Sequence, residues 1–151
     1  MEGLYEMVEK VTYDTSTQFG YELIRDHVLP SVLGVHEGEI LYWAGKELAR
    51  KFPIFSIEEI PSFFIEAGWG TLTLVKSSKK ESFYELADDE NAIKVELRKF
   101  QLEAGFIAEQ YQKLNGFLTE CYAEPKQKNK SVHFHVKWDT KETIVKEDVP
   151  K

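Results

Sequence analysis

Two histidines two residues apart, His133 and His135 in SVHFHVKW, come closest to a reactive pair in this chain. On a strand both would project from one face, where two imidazoles could sit beside a metal ion. A metal needs three or four ligands, and spacing puts no carboxylate or thiol next to them, so they read as a solvated strand face. Cys121 stands alone, in phase with an apolar helical seam. A thiol nucleophile needs an activating base, and this one reads instead as a small buried hydrophobe. The acidic groups Glu58/Glu59, Asp88/Asp89/Glu90 and Glu103/Glu109 fall in turns, helix starts or polar stripes, where carboxylates are ordinarily solvated. Lysines in the turns Ser77–Lys80 and Lys126–Lys130 could grip single-stranded nucleic acid but suit ordinary hairpin tips. Gly68 and Gly70 flank Trp69 at a strand start, which is no phosphate loop. We assign no catalytic residue, metal ligand or cofactor, and the chain reads as non-enzymatic.

The aromatics suggest more. Tyr42, Trp43, Phe63, Phe64, Trp69 and Phe106 come from three separate helical stretches and a strand start that could converge on one side of a sheet. Such a cluster is either plain core or the wall of an apolar pocket. The candidate ligand-binding residues are Tyr42, Trp43, Phe64, Trp69, Gly105 and Phe106. Arg25, Asp26 and Lys46 could lend polar groups, or form surface ion pairs.

Composition bounds the partners. The chain has 151 residues, enough for one core, with 30% charged and 42% hydrophobic residues. A net charge of −7 disfavours nucleic acid and anionic membrane surfaces. One cysteine excludes an internal disulfide and suits a reducing compartment. MEGLYEMVEK lacks a signal-peptide pattern, and no apolar run approaches the ~20 residues that span a bilayer. The expectation is a cytoplasmic protein without membrane insertion.

Periodicity supplies the elements that must position these residues. Thr15 to Thr17 offer N-caps for a helix from about Gln18, with Phe19, Leu23, Ile24, His27 and Val28 as its apolar face. Pro30 should end or kink it at Leu29, with Ser31 to Gly34 as a turn. A second helix spans Glu37 to Lys51, burying Ile40, Leu41, Ala44, Leu48 and Phe52. Ser56 and Glu59 form a capping-box pattern before a short third helix that Gly68 closes. TLTLVK and ESFYELA alternate as hairpin arms, and Ile93, Val95 and Leu97 mark a third strand. Phe100, Ala104, Ile107, Tyr111, Leu114 and Leu118 then trace one helical seam. It predicts a helix to about Thr119, carried through Gly116 at roughly 1 kcal/mol. YAEPKQ and SVHFHVKW close the chain as a hairpin, with Val132, Phe134, Val136 and Trp138 facing the core.

FGYELIRDHVLPSVLG, ILYWAGKELARKFP, FFIEAGWGTLTLV and FQLEAGFIAEQ together resemble the uncharacterised YslB-like family of Gram-positive bacteria over roughly residues 18 to 138. More distantly the element order is similar to 4-vinyl-reductase-type domains and TRAPP Bet-type subunits. That resemblance implies an apolar pocket beneath helices laid on a twisted sheet, and a homodimer. It does not carry over zinc, because Val132 stands where a cysteine would be. Nor does it carry over acylation, because Cys121 is far from the acylated position.

The expected architecture is α+β, with helices packed on one face of a twisted antiparallel sheet in the order ααα-βββ-α-ββ. Residues 18–138 form a single domain, 1–17 a loosely docked arm and 139–151 a charged tail. The expected function is binding of a small apolar molecule, or scaffolding around the apolar pocket. The alternative is an adaptor with a fully packed core and no ligand.

Overall fold

The computed structural model describes residues 17–88 and 98–144. The expected strand at Ile93–Leu97, most of the N-terminal arm and residues 145–151 lie outside the described residues. Those described fall into two compact units, divided between Glu37 and Gly38.

In the first unit, α1 occupies residues 17–33. The helix does not stop at Leu29 as expected. Pro30 has no N–H to donate, and just ahead of it Leu23–Val28 widens into a π turn in which the Leu29 N–H reaches back to Ile24 O. Helical geometry resumes over Leu29–Leu33, and Gly34 ends it at φ +57°. So Ser31 to Leu33 are helical rather than a turn. The expected apolar face is also reversed: Leu23, Ile24 and Val28 are exposed, whereas Arg25 and Asp26 are buried.

The second unit takes up the rest of the chain. Helix α2 covers Glu37–Lys51, as expected. Its buried line is rotated, running through Leu41, Gly45 and Ala49, while Ile40 and Phe52 are exposed. The cause is backbone contact. At Gly45 an added Cβ would strike the Leu102 carbonyl, and at Gly105 one would strike that of Tyr42. Two glycines thus let α2 and α4 (Gln101–Asn115) touch main chain to main chain, and this fixes which residues turn inward. Gln110 Nε2 donates to Phe52 O at 2.9 Å and Lys113 Nζ to Ala49 O at 3.1 Å, satisfying carbonyls at the end of α2.

The capping box at Ser56 forms with Glu59, whose carboxylate accepts the Ser56 N–H at 2.7 Å. A 3-10 turn at Ile57–Glu59 leads into α3, Ile60–Glu66, with Pro61 in its first turn where no N–H is needed. Gly68 closes the element at φ +73°.

Strands β1 (Thr71–Ser77), β2 (Glu81–Ala87), β3 (Phe117–Lys126) and β4 (Ser131–Thr143) make one antiparallel sheet in the order β1-β2-β4-β3. Leu72, Tyr84, Leu86, Val132, Phe134, Val136 and Cys121 are buried on its helix-covered face. The molecule is therefore α+β, its helices and strands following one another in the expected order among the described residues.

Two expectations at the C-terminal end are corrected. Helix α4 stops at Asn115 and does not run to Thr119. Gly116 takes φ +81°, its N–H bonds Gln112 O at 2.9 Å, and Asn115 Oδ1 accepts the Phe117 N–H at 3.0 Å. A left-handed cap suits glycine, and it releases the next ten residues to pair with β4. The helical phase of Leu118 was coincidental: it sits in β3, 44% exposed. Residues 139–143, expected in the tail, extend β4.

Candidate functional site

Adjacent residues Phe63 and Phe64 leave α3 about 100° apart, so they can face two neighbours at once. Phe63 stacks on Phe106 of α4 with ring centroids 4.2 Å apart. Phe64 meets Trp69 edge-on at 4.9 Å and Phe134 of β4 at 6.4 Å. Trp69 lies 5.7 Å from Phe106, its N–H held by Phe64 O at 2.9 Å around the Gly68 turn. Phe64 and Phe106 are wholly buried. The structure thus brings Phe63, Phe64, Trp69 and Phe106 together, ring against ring, and Phe52 extends the chain of rings outward from Phe63 at 6.0 Å.

Tyr42, Trp43 and Gly105 are placed otherwise. The Tyr42 hydroxyl accepts the Cys121 N–H at 3.2 Å, Lys46 Nζ lies 4.8 Å from its ring centroid, and burial pushes the phenol up to about 12. Trp43 points away, 62% exposed. Gly105 is taken up by the helix crossing. Of the polar candidates, Arg25 donates to the Tyr21 hydroxyl at 2.5 Å, and both Arg25 and Asp26 are buried rather than surface groups.

The remaining reactive types find structural work. Burial pushes the Cys121 thiol up, away from the thiolate that nucleophilic attack requires. Glu103 and Glu109 are buried within α4 rather than solvated, and Glu109 holds Arg50 Nε at 3.2 Å. Strand pairing supplies the carboxylates that spacing could not show beside the histidines. His135 Nε2 lies 2.7 Å from Glu81 Oε1 and its ring stacks on Phe83 at 4.3 Å. His133 Nε2 lies 3.3 Å from Glu85 Oε2 without hydrogen-bond alignment. Among the described residues no three His, Cys, Asp or Glu side chains are grouped to hold a metal.

Two features escaped the sequence reading. One is the exposed apolar face of α1, for which the charged pair Arg25-Asp26 was the available signal, pointing to a reversed face. The other is a groove of about 560 Å³ along β3 and β4, lined by residues that include Lys80, Lys137, Lys141, Leu118, Glu120 and Asp139. It depends on a register irregularity that no local pattern encodes.

Helices over one face of an open antiparallel sheet define the class as an α+β domain. Within it, the chain belongs to the DUF2507 family, described as a protein of unknown function, whose model matches residues 18–137. It is 49% identical over 129 residues to the uncharacterized protein YslB of Bacillus subtilis (strain 168), covering 83% of this chain and 87% of that one. A vinyl-4-reductase family protein from Methanocaldococcus jannaschii is similar in structure, with a TM-score of 0.55 and 18% identity over 66% of this chain and 68% of that one. That likeness speaks to the fold. A trafficking protein particle complex subunit 3 from Naegleria fowleri, covalently bound to palmitic acid, aligns over 97% of this chain and all of that one. Its TM-score of 0.44 and 11% identity are too low to bear on this chain's chemistry. Among the described residues no helix is long and apolar enough to cross a membrane.

Proposed function

We propose that this protein is a non-catalytic scaffold domain that self-associates as a homodimer through α1, with its aromatic cluster serving as packed core. One observation carries the reading: α1 turns Arg25 and Asp26 inward and leaves Phe19, Leu23, Ile24, Val28 and Val32 exposed, with Val35 following. Leaving that row in water forgoes the stabilisation that burial would give, and an exposed apolar stripe of this kind marks an interaction surface. A stripe of one chemistry suits a second copy of itself, since a two-fold interface sets the same patch of both copies face to face.

Sedimentation or light scattering tests this. The wild type is expected at about twice its 17.5 kDa chain mass at micromolar concentration. Val28→Asp with Val32→Asp, both at exposed positions, is expected to yield a folded monomer. A wild type that stays monomeric overturns the proposal.

A second reading, a small apolar molecule held at the aromatic cluster, is favoured by the path of rings from exposed Phe52 through Phe63 to buried Phe106. Native mass spectrometry distinguishes it. Reproducible extra mass lost on denaturation supports the ligand, and a bare polypeptide leaves the cluster as core.

A further inference from the structure

Resting on the proposed homodimer, we infer that its α1 contact is set by pH through His27, which lies in the apolar stripe and is neutral when two copies meet. Across Leu23–Val28 the helix is wound with i→i+5 bonding, the Leu29 N–H reaching back to Ile24 O. In so wide a turn a residue and the one five places on stand nearly one above the other, so Val28 aligns with Leu23. His27, one step short of that, falls beside them, while Arg25 and Asp26 are carried to the opposite, buried side. Past the wide turn, Ser31 and Val32 continue the same exposed face. His27 is itself exposed, and among the described residues it has neither a hydrogen-bond nor an ion-pair partner.

A two-fold contact through this stripe covers His27 of both copies with Phe19, Leu23, Ile24, Val28 and Val32. A neutral imidazole tolerates such surroundings, whereas an imidazolium loses its hydration there. Histidine changes charge between pH 5 and 8, so acid adds a proton to the free monomer that the dimer excludes. The monomer then binds more protons than the dimer, and falling pH draws the equilibrium towards it, two protons for each dimer. The other charged groups on this unit's described residues are Glu22, Arg25, Asp26, His36 and Glu37. Arg25, Asp26 and Glu37 are buried. Glu22, half-buried at the margin of the stripe, is the carboxylate nearest in helical phase, and a contact with it across the dimer would make acid tighten the pair. Net charge works in that direction too, since protons on the four histidines reduce the −7 by which the copies repel each other. A dimer that loosens in acid therefore identifies a group buried in the contact.

Sedimentation equilibrium of the full chain at pH ~7.5 and ~5.5 and constant ionic strength tests this, with circular dichroism checking the fold at both. The wild-type dissociation constant is expected to rise about 10-fold or more in acid. His27→Gln, at an exposed position and neutral throughout, should lose that rise. His27→Phe, which completes the apolar row, should dimerise as tightly at one pH as at the other. A wild-type constant that stays level or falls in acid, or a rise that His27→Gln retains, would overturn the inference and leave the dimer standing. A wild type that is monomeric at both pH values would instead remove the dimer itself, and the inference with it.

Discussion

Tyr84 and Tyr111 share a hydroxyl–hydroxyl hydrogen bond of 2.5 Å beneath α4, and each is about 2% exposed. Burial raises both phenols above their ordinary range, and the shared bond adds to the rise at Tyr84 while opposing it at Tyr111. An acid whose folded pKa exceeds its unfolded value of about 10 stays protonated in the native state while the unfolded chain releases its proton. Its contribution to stability is therefore whole below pH ~10 and is lost as pH rises beyond it. Urea midpoints should stay level towards pH ~10 as far as this pair is concerned and fall above it. Tyr84→Phe should flatten part of that fall and cost about 1 kcal/mol at neutral pH, since it deletes one buried hydrogen bond of the Tyr111 hydroxyl. Near-ultraviolet absorbance showing both phenols ionising at ordinary pH in the folded protein would contradict this. Cys121 shows how a residue can be read correctly from the wrong element. Its apolar setting announced burial, and burial holds whether it ends a helix or faces inward from β3.

At the scale of elements, a glycine at the crossing of α2 and α4 and a glycine away from it carry opposite predictions. Gly105→Ala puts a Cβ onto the Tyr42 carbonyl, a backbone atom that cannot swing aside, so a loss of at least about 1–3 kcal/mol is expected. Gly20→Ala in α1 meets nothing within 4 Å and should be neutral or stabilising by up to about 1 kcal/mol. Thermal or urea melts of both variants read the contrast, and a neutral Gly105→Ala would mean the helices do not touch there. The same crossing explains what was legible. Helix α2 could be bounded from sequence because Pro53 and the periodic run are local, and α3 because Ser56, Glu59 and Pro61 are. The inward face of α2 was not legible, since Gly45 ranks as no hydrophobe yet sets the contact line. At Asn115-Gly116 the local stop signal was right and the longer-range seam misled, because a left-handed glycine and ten strand residues outweigh one leucine in phase. Phe64, Trp69 and Phe106 met as expected, but Trp43 did not, since neighbouring residues on a helix point about 100° apart.

For the whole molecule, charge and association pull against each other. A chain of net charge −7 that meets its own copy brings two like-charged bodies together, while the α1 stripe that would join them is apolar. Screening shortens the repulsion, from a Debye length of about 30 Å at 0.01 M salt to about 10 Å at 0.1 M, and leaves apolar burial intact. The proposed dimer should therefore tighten as sodium chloride rises from low to moderate concentration, seen in sedimentation equilibrium as a falling dissociation constant. The Val28→Asp, Val32→Asp protein should stay monomeric throughout. A dimer that loosens with salt would place the contact on charged residues rather than on α1. A dimer that tightens with salt and is abolished by the paired aspartates would assign it to the exposed stripe that the inward-turned Arg25 and Asp26 leave behind.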